Sequence, residues 1–425
     1  MKKILFTIQW YPSVRSANVL CDDEIMRALL AEKKYEVHCL VYWVPGRPAY
    51  EVINGIHVHR FIPGLLWPIF IWGKLHDTTL LGGLVVRINR FLLRVKQLLS
   101  IFIYPVFEPF TTRRFAKQAV RLHKKEKFDV VISEHNGIDT LYAGYIIKKT
   151  ASDIKFIPIL WDPIVGKAPA KYLSRSFCEK RLERFEEKIL SLADTIVAMQ
   201  SNKKNLTDRV VHKSYFERIQ FLDLPRLLAP VLANVRSKFI KPGNINIIYS
   251  GIISFPDRDP SFIIELLNDT GIENINLMLF CNGNVESLFP LIKKFHGDLT
   301  FYPYIKRDEL LKIYEGVDIF LNLGGANPNM LPSKIFEYMS YGKPILSTYT
   351  IADDSSKKYL DRYPLALMIN QQSPDRDSLI VDLRDFILTP KSPKCSFETV
   401  CALFPDNNPN KYVQLIANML FDEQH

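Results

Sequence analysis

Apolar runs of strand length alternate with segments of helical period along most of the chain. In the first half, helical segments near 18–32, 138–149 and 177–192 lie among the runs KILFTIQW, YEVHCLVYW, FDVVIS, IKFIPILW and DTIVAM. In the second half, helical segments near 260–267, 285–295 and 308–315 lie among INIIYSG, INLMLFCNG, LTFYPY, VDIFLNLG and KPILST. Apolar strands that alternate with helices indicate a parallel sheet covered on both faces. We therefore predict an α/β protein with two doubly wound, Rossmann-like domains.

The length of the chain supports two domains. Its 425 residues exceed what one hydrophobic core usually supports, and polar and basic residues interrupt the alternation over 229–242. We predict domains over 1–235 and 236–405, followed by a C-terminal helix over 406–425 that packs back on the first domain. A binding cleft is expected between the domains, at the carboxyl ends of the strands.

The cysteines and the first residues predict a cytoplasmic protein. Six scattered cysteines, at positions 21, 39, 178, 281, 395 and 401, show neither a disulfide framework nor zinc-ligand spacing. The opening MKKILFTIQWYP is too short for a secretion signal and lacks a cleavage site, so we interpret it as the first strand.

Positive charge is concentrated in one apolar stretch. The net charge is +10, and residues 87–127 contain eleven basic against two acidic residues. Apolar side chains from Ile88 to Leu99 recur at helical spacing, with Arg87, Arg90 and Arg94 on another face. The upstream run IPGLLWPIFIW is too short to span a bilayer. We predict that the segment 62–127 associates peripherally with the anionic inner face of a membrane.

Two other interpretations of the charged stretch remain open. It could be a core helix with a basic solvent face, or a surface for nucleic acid. No nucleic-acid-binding module accompanies the charge, so we expect no nucleic-acid partner.

The stretch NPNMLPSKIFEYMSYGKPIL, residues 327–346, carries the candidate chemistry. Pro332 suits a first helical turn, and Gly342 suits the position just past a helix end. The main-chain N–H groups around Leu331, Ser333 and Lys334 would form an anion site. Glu337 lies about one turn later, and its two oxygens match the adjacent hydroxyls of a ribose. The alternative is a solvated ion pair between Glu337 and Lys334.

This stretch resembles a known family signature, in which a Glu, seven residues and a second Glu precede a Gly-x-Pro turn. Asn329 and Glu337 occupy the two Glu positions, and YEGVDIFLNLG, IIYSGIISFPDRDPSFIIELL and LERFEEKILSLADTIVAMQSNKKNL resemble further family segments. On these motifs the chain resembles the retaining GT-B-fold glycosyltransferases of the family 4 type. The resemblance implies a nucleotide-sugar-binding C-terminal domain and an acceptor-binding N-terminal domain.

The resemblance also implies roles for individual donor-site residues. Glu337 would bind the ribose, the segment Leu331, Pro332, Ser333 and Lys334 the diphosphate, and Asn329 the donor sugar. Relatives place Arg and Lys after the first strand of this domain, where this chain has Gly251 and Ile252, so Arg258 is the candidate cation. Tyr304 and Ile305 are the candidate neighbours of the nucleobase.

For the transfer step, the candidates are Glu134, His135 and Asp162, which follow strands of the first domain. The family is thought to react on one face of the sugar, with the departing phosphate helping to deprotonate the acceptor. We expect no cofactor and assign no metal to the Asp-x-Asp patterns at 257–259 and 375–377. His57 and His59 face the same way along a strand but have no third ligand in sequence, so we expect surface residues.

The predicted function is transfer of a sugar from a nucleotide-diphosphate donor to a lipid-linked or oligosaccharide acceptor, with retention, in bacterial cell-surface polysaccharide biosynthesis. Two alternatives stay open: a sugar-nucleotide epimerase of the same fold, and a catalytically degenerate partner subunit.

Overall fold

The computed structural model describes residues 1–12, 16–64, 66–99, 101–106, 108–135, 137–166, 173–230, 232, 237–255, 258–283, 285–303, 305–328, 331–389 and 395–421. They form two compact units, residues 1–225 with 409–425 and residues 226–408. Each unit contains a doubly wound, mainly parallel sheet with helices between the strands, which confirms the predicted fold class.

The described part of the first unit has an eight-stranded sheet. Its strands are β1 (Lys2–Thr7), β2 (Tyr35–Tyr42), β3 (Tyr50–Ile53), β4 (Ile56–Phe61), β5 (Val130–Glu134), β6 (Lys155–Leu160), β7 (Ile196–Met199) and β8 (Ile219–Leu222). Its helices are α1 (Ala17–Ala31), α2 (Trp67–Leu75), α3 (Leu80–Leu99), α4 (Pro109–Glu126), α5 (Ile138–Thr150), α6 (Arg175–Leu190) and α7 (Lys203–Val210). The strand order is β3-β4-β2-β1-β5-β6-β7-β8, and only β3 is antiparallel to its neighbour. The order reverses between β1 and β5, where ligands bind in such sheets.

The described part of the second unit has a six-stranded parallel sheet, in the order β11-β10-β9-β12-β13-β14. The strands are β9 (Ile245–Ile252), β10 (Ile275–Asn282), β11 (Asp298–Tyr302), β12 (Ile319–Leu323), β13 (Ile345–Tyr349) and β14 (Ala366–Asn370). The helices are α8 (Ser261–Asp269), α9 (Phe289–Ile292), α10 (Arg307–Gly316), α11 (Lys334–Ser340), α12 (Lys357–Leu360), α13 (Arg376–Leu388) and α14 (Phe397–Leu403). The last described helix, α15 (Asn410–Phe421), belongs to the first unit. Here the order reverses between β9 and β12.

The predicted helix at 285–295 is wrong in length. The structure has a short 3-10 turn from Glu286 to Leu288 and then the four-residue α9. Pro290 has no N–H to donate to the carbonyl four residues earlier, so a continuous α-helix through this segment would lose a hydrogen bond.

The boundaries between the units differ from the predicted ones. The first boundary lies between Pro225 and Arg226, ten residues before the expected position at 235, and the last helix joins the first unit from Pro409. Main-chain bonding explains the shift, because the Leu227 N–H donates to the Asn407 carbonyl within the second unit. Within the first unit, α15 packs against α1 and the Tyr412 hydroxyl donates to the Asp223 carbonyl.

The segment 62–127 does not form one kind of structure. α4 is a core helix, because Phe115 and Ala119 on one of its faces are fully buried. By contrast, α2 and α3 pack against each other and expose large apolar side chains. Gly73 makes their close approach feasible, since a Cβ there would lie 2.4 Å from the Val85 side chain. Among the described residues, no helix is both long and apolar enough to span a bilayer.

The expectation that His57 and His59 are surface residues is wrong. Both are half-buried, and His57 lies opposite the buried His38 in the parallel pairing of β2 with β4. The neighbouring strand supplies contacts that a single strand's sequence does not reveal.

The Gly-Lys-Pro turn has a structural role. Gly342 has a positive φ of 61°, as expected just past a helix end. The buried Lys343 Nζ donates to the carbonyls of Tyr314, Glu315 and Val317 at 3.1, 2.5 and 2.8 Å. Lys343 therefore caps the C-terminal end of α10 and ties it to β13.

Replacing Lys343 by Met should destabilise the second unit by about 3 kcal/mol, because buried carbonyls lose a charged donor. Urea unfolding followed by circular dichroism measures the change. Lys312→Met, at an exposed position on α10, the helix that Lys343 caps, should change the free energy of unfolding by less than about 0.5 kcal/mol. Equal effects of the two substitutions would refute the capping role.

Candidate functional site

Glu337 is buried in the second unit and bound by two arginines. It lies in α11, which follows the carboxyl end of β12, and only 7% of the residue is exposed. Its carboxylate accepts from Arg307 Nη2 at 2.6 Å and from Arg226 Nη2 at 3.5 Å. The alternative of a solvated pair with Lys334 is therefore wrong.

Lys334 points to the end of β9 instead. Its Nζ donates to the Ser250 carbonyl and, at 2.8 Å, to the Ser250 hydroxyl. The same hydroxyl contacts the buried phenols of Tyr314 and Tyr338. Burial lowers the pKa of Lys334 to about 8; Glu337 opposes this shift, and the positive charges of the nearby arginines 307, 258 and 226 add to it.

Arg258 lies after β9, close enough to Lys334 to act on its pKa. Its Nε is buried and has no hydrogen-bond acceptor among the described residues. Gly251, at the end of β9, makes room for the strand's own tyrosine: a Cβ there would lie 2.6 Å from the Tyr249 hydroxyl, which donates to the Ile252 carbonyl. Gly251 therefore fixes the backbone geometry of the strand end.

The site gathers four cationic side chains: Arg226 and Arg307 bind Glu337, and Lys334 lies close enough to Glu337 and Arg258 for both to act on its pKa. The sequence pointed to Arg258 and Lys334 but missed Arg226 and Arg307. The position of Arg307 was a usable signal, because it begins α10 after β11, at the carboxyl edge of the sheet. An excess of partly buried positive charge at a strand switch point is suited to a phosphorylated ligand.

Other predicted donor-site residues are only partly described. Asn329 and Tyr304 lie outside the described residues. Leu331, Pro332 and Ser333 are half-buried just before α11, and Ile305 is half-buried between β11 and α10. Their roles as phosphate and base neighbours stay predictions.

Three known structures show which fold these sheets and helices form. An α,α-trehalose-phosphate synthase (UDP-forming) from Burkholderia xenovorans is 10% identical, with a TM-score of 0.60 over 99% of this chain and 100% of that one. The lipopolysaccharide outer core galactosyltransferase WaaB is 12% identical, with a TM-score of 0.56 over 100% of both chains. The UDP-GlcNAc 2-epimerase of Methanocaldococcus jannaschii is 11% identical, with a TM-score of 0.55 over 98% of this chain and 99% of that one. The chain has the GT-B fold.

At these identities the comparison shows the fold alone. No protein-family model matches the sequence, and a search of curated proteins gives no match. The predicted membership in the family 4 type stays a prediction.

In the N-terminal unit of this GT-B protein, two of the catalytic candidates come together. His135 directly follows β5, and its Nδ1 lies 3.0 Å from the carbonyl oxygen of Asp162, beyond β6. A carbonyl only accepts hydrogen bonds, so Nδ1 carries the proton and Nε2 is the acceptor atom of the neutral ring. Asp162 is half-buried, whereas 5% of His135 is exposed.

Glu134 is placed differently from the other two. It is buried beside Asp22, to which the Trp161 indole donates at 3.2 Å. Burial, and then the neighbouring Asp22, raise the pKa of Glu134, and burial raises that of Asp22 to about 6. Two buried carboxyls in contact share a proton instead of both ionising. The pair therefore carries at most one negative charge, and the catalytic role of Glu134 stays a prediction.

One of the Asp-x-Asp patterns has a structural explanation. Asp375 caps α13, since its side chain accepts from the Ser378 N–H at 3.0 Å. In the other pattern, Asp257 lies outside the described residues, and the Asp259 carboxylate accepts from the Ser261 N–H at 2.8 Å.

Pyrophosphate binding should weaken as the pH rises through about 8, because Lys334 then loses its proton and its charge. Calorimetry at pH 7 and pH 9.5 tests this through the affinity ratio of wild type to Lys334→Gln, which cancels the titration of the ligand itself. The ratio should be about tenfold or more at the lower pH and approach one at the higher.

The exposed Lys312 supplies the control for this titration. The ratio of wild type to Lys312→Gln should stay near one at both values of pH. A wild-type to Lys334→Gln ratio that does not depend on pH would contradict the assignment of the titrating group.

Proposed function

We propose that this protein is a glycosyltransferase that moves a sugar from a nucleotide-diphosphate donor to a lipid-linked glycan acceptor with retention, in cell-surface polysaccharide biosynthesis. The observation that carries the donor half of this proposal is the cationic cluster of Arg226, Arg258, Arg307 and Lys334 around Glu337. The acceptor half rests on the exposed apolar and basic surface of α2 and α3.

The cluster is suited to both parts of a nucleoside diphosphate. Its surplus of positive charge offsets the charge of the diphosphate, and the buried Arg258 Nε still lacks an acceptor among the described residues. A carboxylate has about four lone-pair positions, so Glu337 can accept from ribose hydroxyls while the arginines hold it in place. UDP-sugars are the first donors to test, because the synthase among the structural neighbours is UDP-forming and the epimerase is named for UDP-GlcNAc.

The same cations would serve the chemical step. As the bond from the anomeric carbon to phosphate breaks, negative charge builds on the departing diphosphate, and fixed cations stabilise it. In a reaction on one face of the sugar, the departing phosphate accepts the acceptor's proton. Asn329 would contact the donor sugar and Tyr304 and Ile305 the base, while His135 and Asp162 would orient the acceptor.

A panel of nucleotide sugars, incubated with and without acceptor lipids, tests the proposed activity. We expect release of the nucleoside diphosphate from one donor, and a decrease of kcat/KM by about 10- to 100-fold in Glu337→Gln, which loses a charged acceptor. Glu309→Gln, at an exposed position on α10, should leave turnover unchanged.

Two outcomes would overturn the proposal in different ways. A donor whose sugar changes configuration without release of nucleotide would favour the epimerase alternative, which the fold of the neighbours also accommodates. Absence of both turnover and binding across the panel would favour a non-catalytic partner subunit.

The proposed membrane surface is built from α2 and α3. Its apolar side chains are exposed, with Leu80 at 96% and Phe91 at 65%. Arg87, Arg90 and Arg94 are exposed on the same helix. Apolar groups that enter the headgroup region, combined with cations that attract anionic lipid, are typical of interfacial helices.

Replacing Arg87, Arg90 and Arg94 together by Gln should lower partitioning onto anionic vesicles about a hundredfold, because each surface cation adds to the attraction. Vesicle co-sedimentation at low salt measures this. A matched triple change at the exposed Lys293, Lys294 and Lys312 of the second unit should have little effect. If the wild-type protein does not co-sediment with anionic vesicles, the proposed membrane surface is refuted and a soluble acceptor is favoured.

A further inference from the structure

Metal-ligating side chains meet on one face of the first unit's sheet. Glu36 and His38 are two residues apart on β2, and His57 and His59 are two apart on β4. The strands are paired so that His38 lies opposite His57. Because side chains alternate between the faces of a sheet, all four project from the same face.

Three of these side chains place possible metal-ligand atoms close together. One donor atom each from Glu36, His38 and His57 lies within 4.8 Å of the others, and His38 Nε2 is 2.7 Å from Glu36 Oε1. We propose that these three residues bind a divalent transition-metal ion of the zinc type, which fastens β4 to β2.

The donor set is chemically suited to such an ion. Two imidazole nitrogens and one carboxylate oxygen are common zinc ligands, and a water would complete a tetrahedron. With bond lengths of about 2.0–2.2 Å, tetrahedral ligand atoms lie about 3.4 Å apart. The rings of His38 and His57 now stack with 4.5 Å between centroids and 15° between planes, so one ring must turn for both lone pairs to converge on an ion.

Further hydrogen bonds orient both rings. His38 Nδ1 lies 3.0 Å from His59 Nε2, and His57 Nδ1 lies 2.8 Å from the Tyr50 hydroxyl. With a proton on each Nδ1, the rings donate to these partners and their Nε2 lone pairs face the metal. Such outer partners fix the orientation and basicity of metal-bound histidines. His59 would then carry its own proton on Nδ1. Metal binding thus moves protons between the nitrogens of His38 and of His59, and each of these two rings keeps one proton.

The proposed metal site is open to solvent on one side, and Lys3 competes with a metal ion for Glu36. The side chain of Glu36 is 23% exposed and that of His38 is 3% exposed, so an ion would enter past the glutamate. Lys3 Nζ lies 3.2 Å from Glu36 Oε1 and 3.3 Å from Glu126 Oε2. An arriving ion would displace Lys3 from Glu36, and the lysine would keep its contact with Glu126.

Untagged protein, equilibrated with Zn²⁺ and analysed for metal content, tests the proposal. We expect one ion per chain and a zinc-dependent rise in thermal midpoint that a chelator reverses. Co²⁺ in place of Zn²⁺ should give the intense visible absorption of tetrahedral coordination.

Variants show whether the ion binds at this site or at other cysteines and histidines of the chain. Glu36→Gln and His57→Gln should each remove the ion, Tyr50→Phe should weaken binding about tenfold, and His212→Gln, at an exposed position elsewhere, should bind like wild type. His57 is half-buried, and circular dichroism of the variant checks its fold. One ion retained in folded His57→Gln, or no ion bound by wild type, would overturn the proposal.

Discussion

The ion pairs of Glu337 with Arg226 and Arg307 are the interactions on which the candidate donor site depends. Without this carboxylate, four cationic side chains would face one another in a partly buried region, where charges are poorly screened. With it, the cluster keeps an excess of positive charge. The ion pairs thus stabilise the cluster without a ligand, and the remaining positive charge is what we propose an anionic ligand binds.

Several neighbouring contacts hold the cluster in a fixed geometry. The hydroxyl of Ser250 joins Lys334 to two buried tyrosines, 314 and 338, so α11 is anchored to β9. Lys343 caps α10 from the turn before β13, which fixes the helix that begins with Arg307. Ligand-binding groups on anchored helices lose little conformational freedom when a ligand arrives. The Gly-Lys-Pro turn thus contributes to the site without touching it.

Periodicity was sufficient to predict the alternation of strands and helices, because a strand that is buried on both faces of a parallel sheet appears in the sequence as a continuous apolar run. The motif at 327–346 and its resemblance to a family signature, not periodicity, pointed to Glu337, Lys334 and Arg258. Both missed Arg226, which lies 111 residues from Glu337 in the chain, since distant pairs depend on the folded path. The prediction for His57 was wrong for the same reason, because its partners His38 and Tyr50 lie on the neighbouring strands β2 and β3.

Helical periodicity also could not decide what the apolar face of α3 contacts. The pattern is equally consistent with a helix packed on a core and with one that exposes its leucines and phenylalanine. The structure shows exposure for α3 and burial for α4, although both helices are basic and amphipathic. The difference depends on tertiary packing: α4 lies against α5, whereas α3 lies against α2.

The most direct test of the donor site compares two ligands in one variant. Calorimetry with Glu337→Gln should show nucleoside diphosphate affinity reduced about tenfold or more relative to pyrophosphate, because only the nucleoside has ribose hydroxyls for the carboxylate. Pyrophosphate affinity should hold or rise, since one negative charge is removed. Equal changes for both ligands would contradict the assignment of Glu337 to the ribose, and with it the central claim for this site.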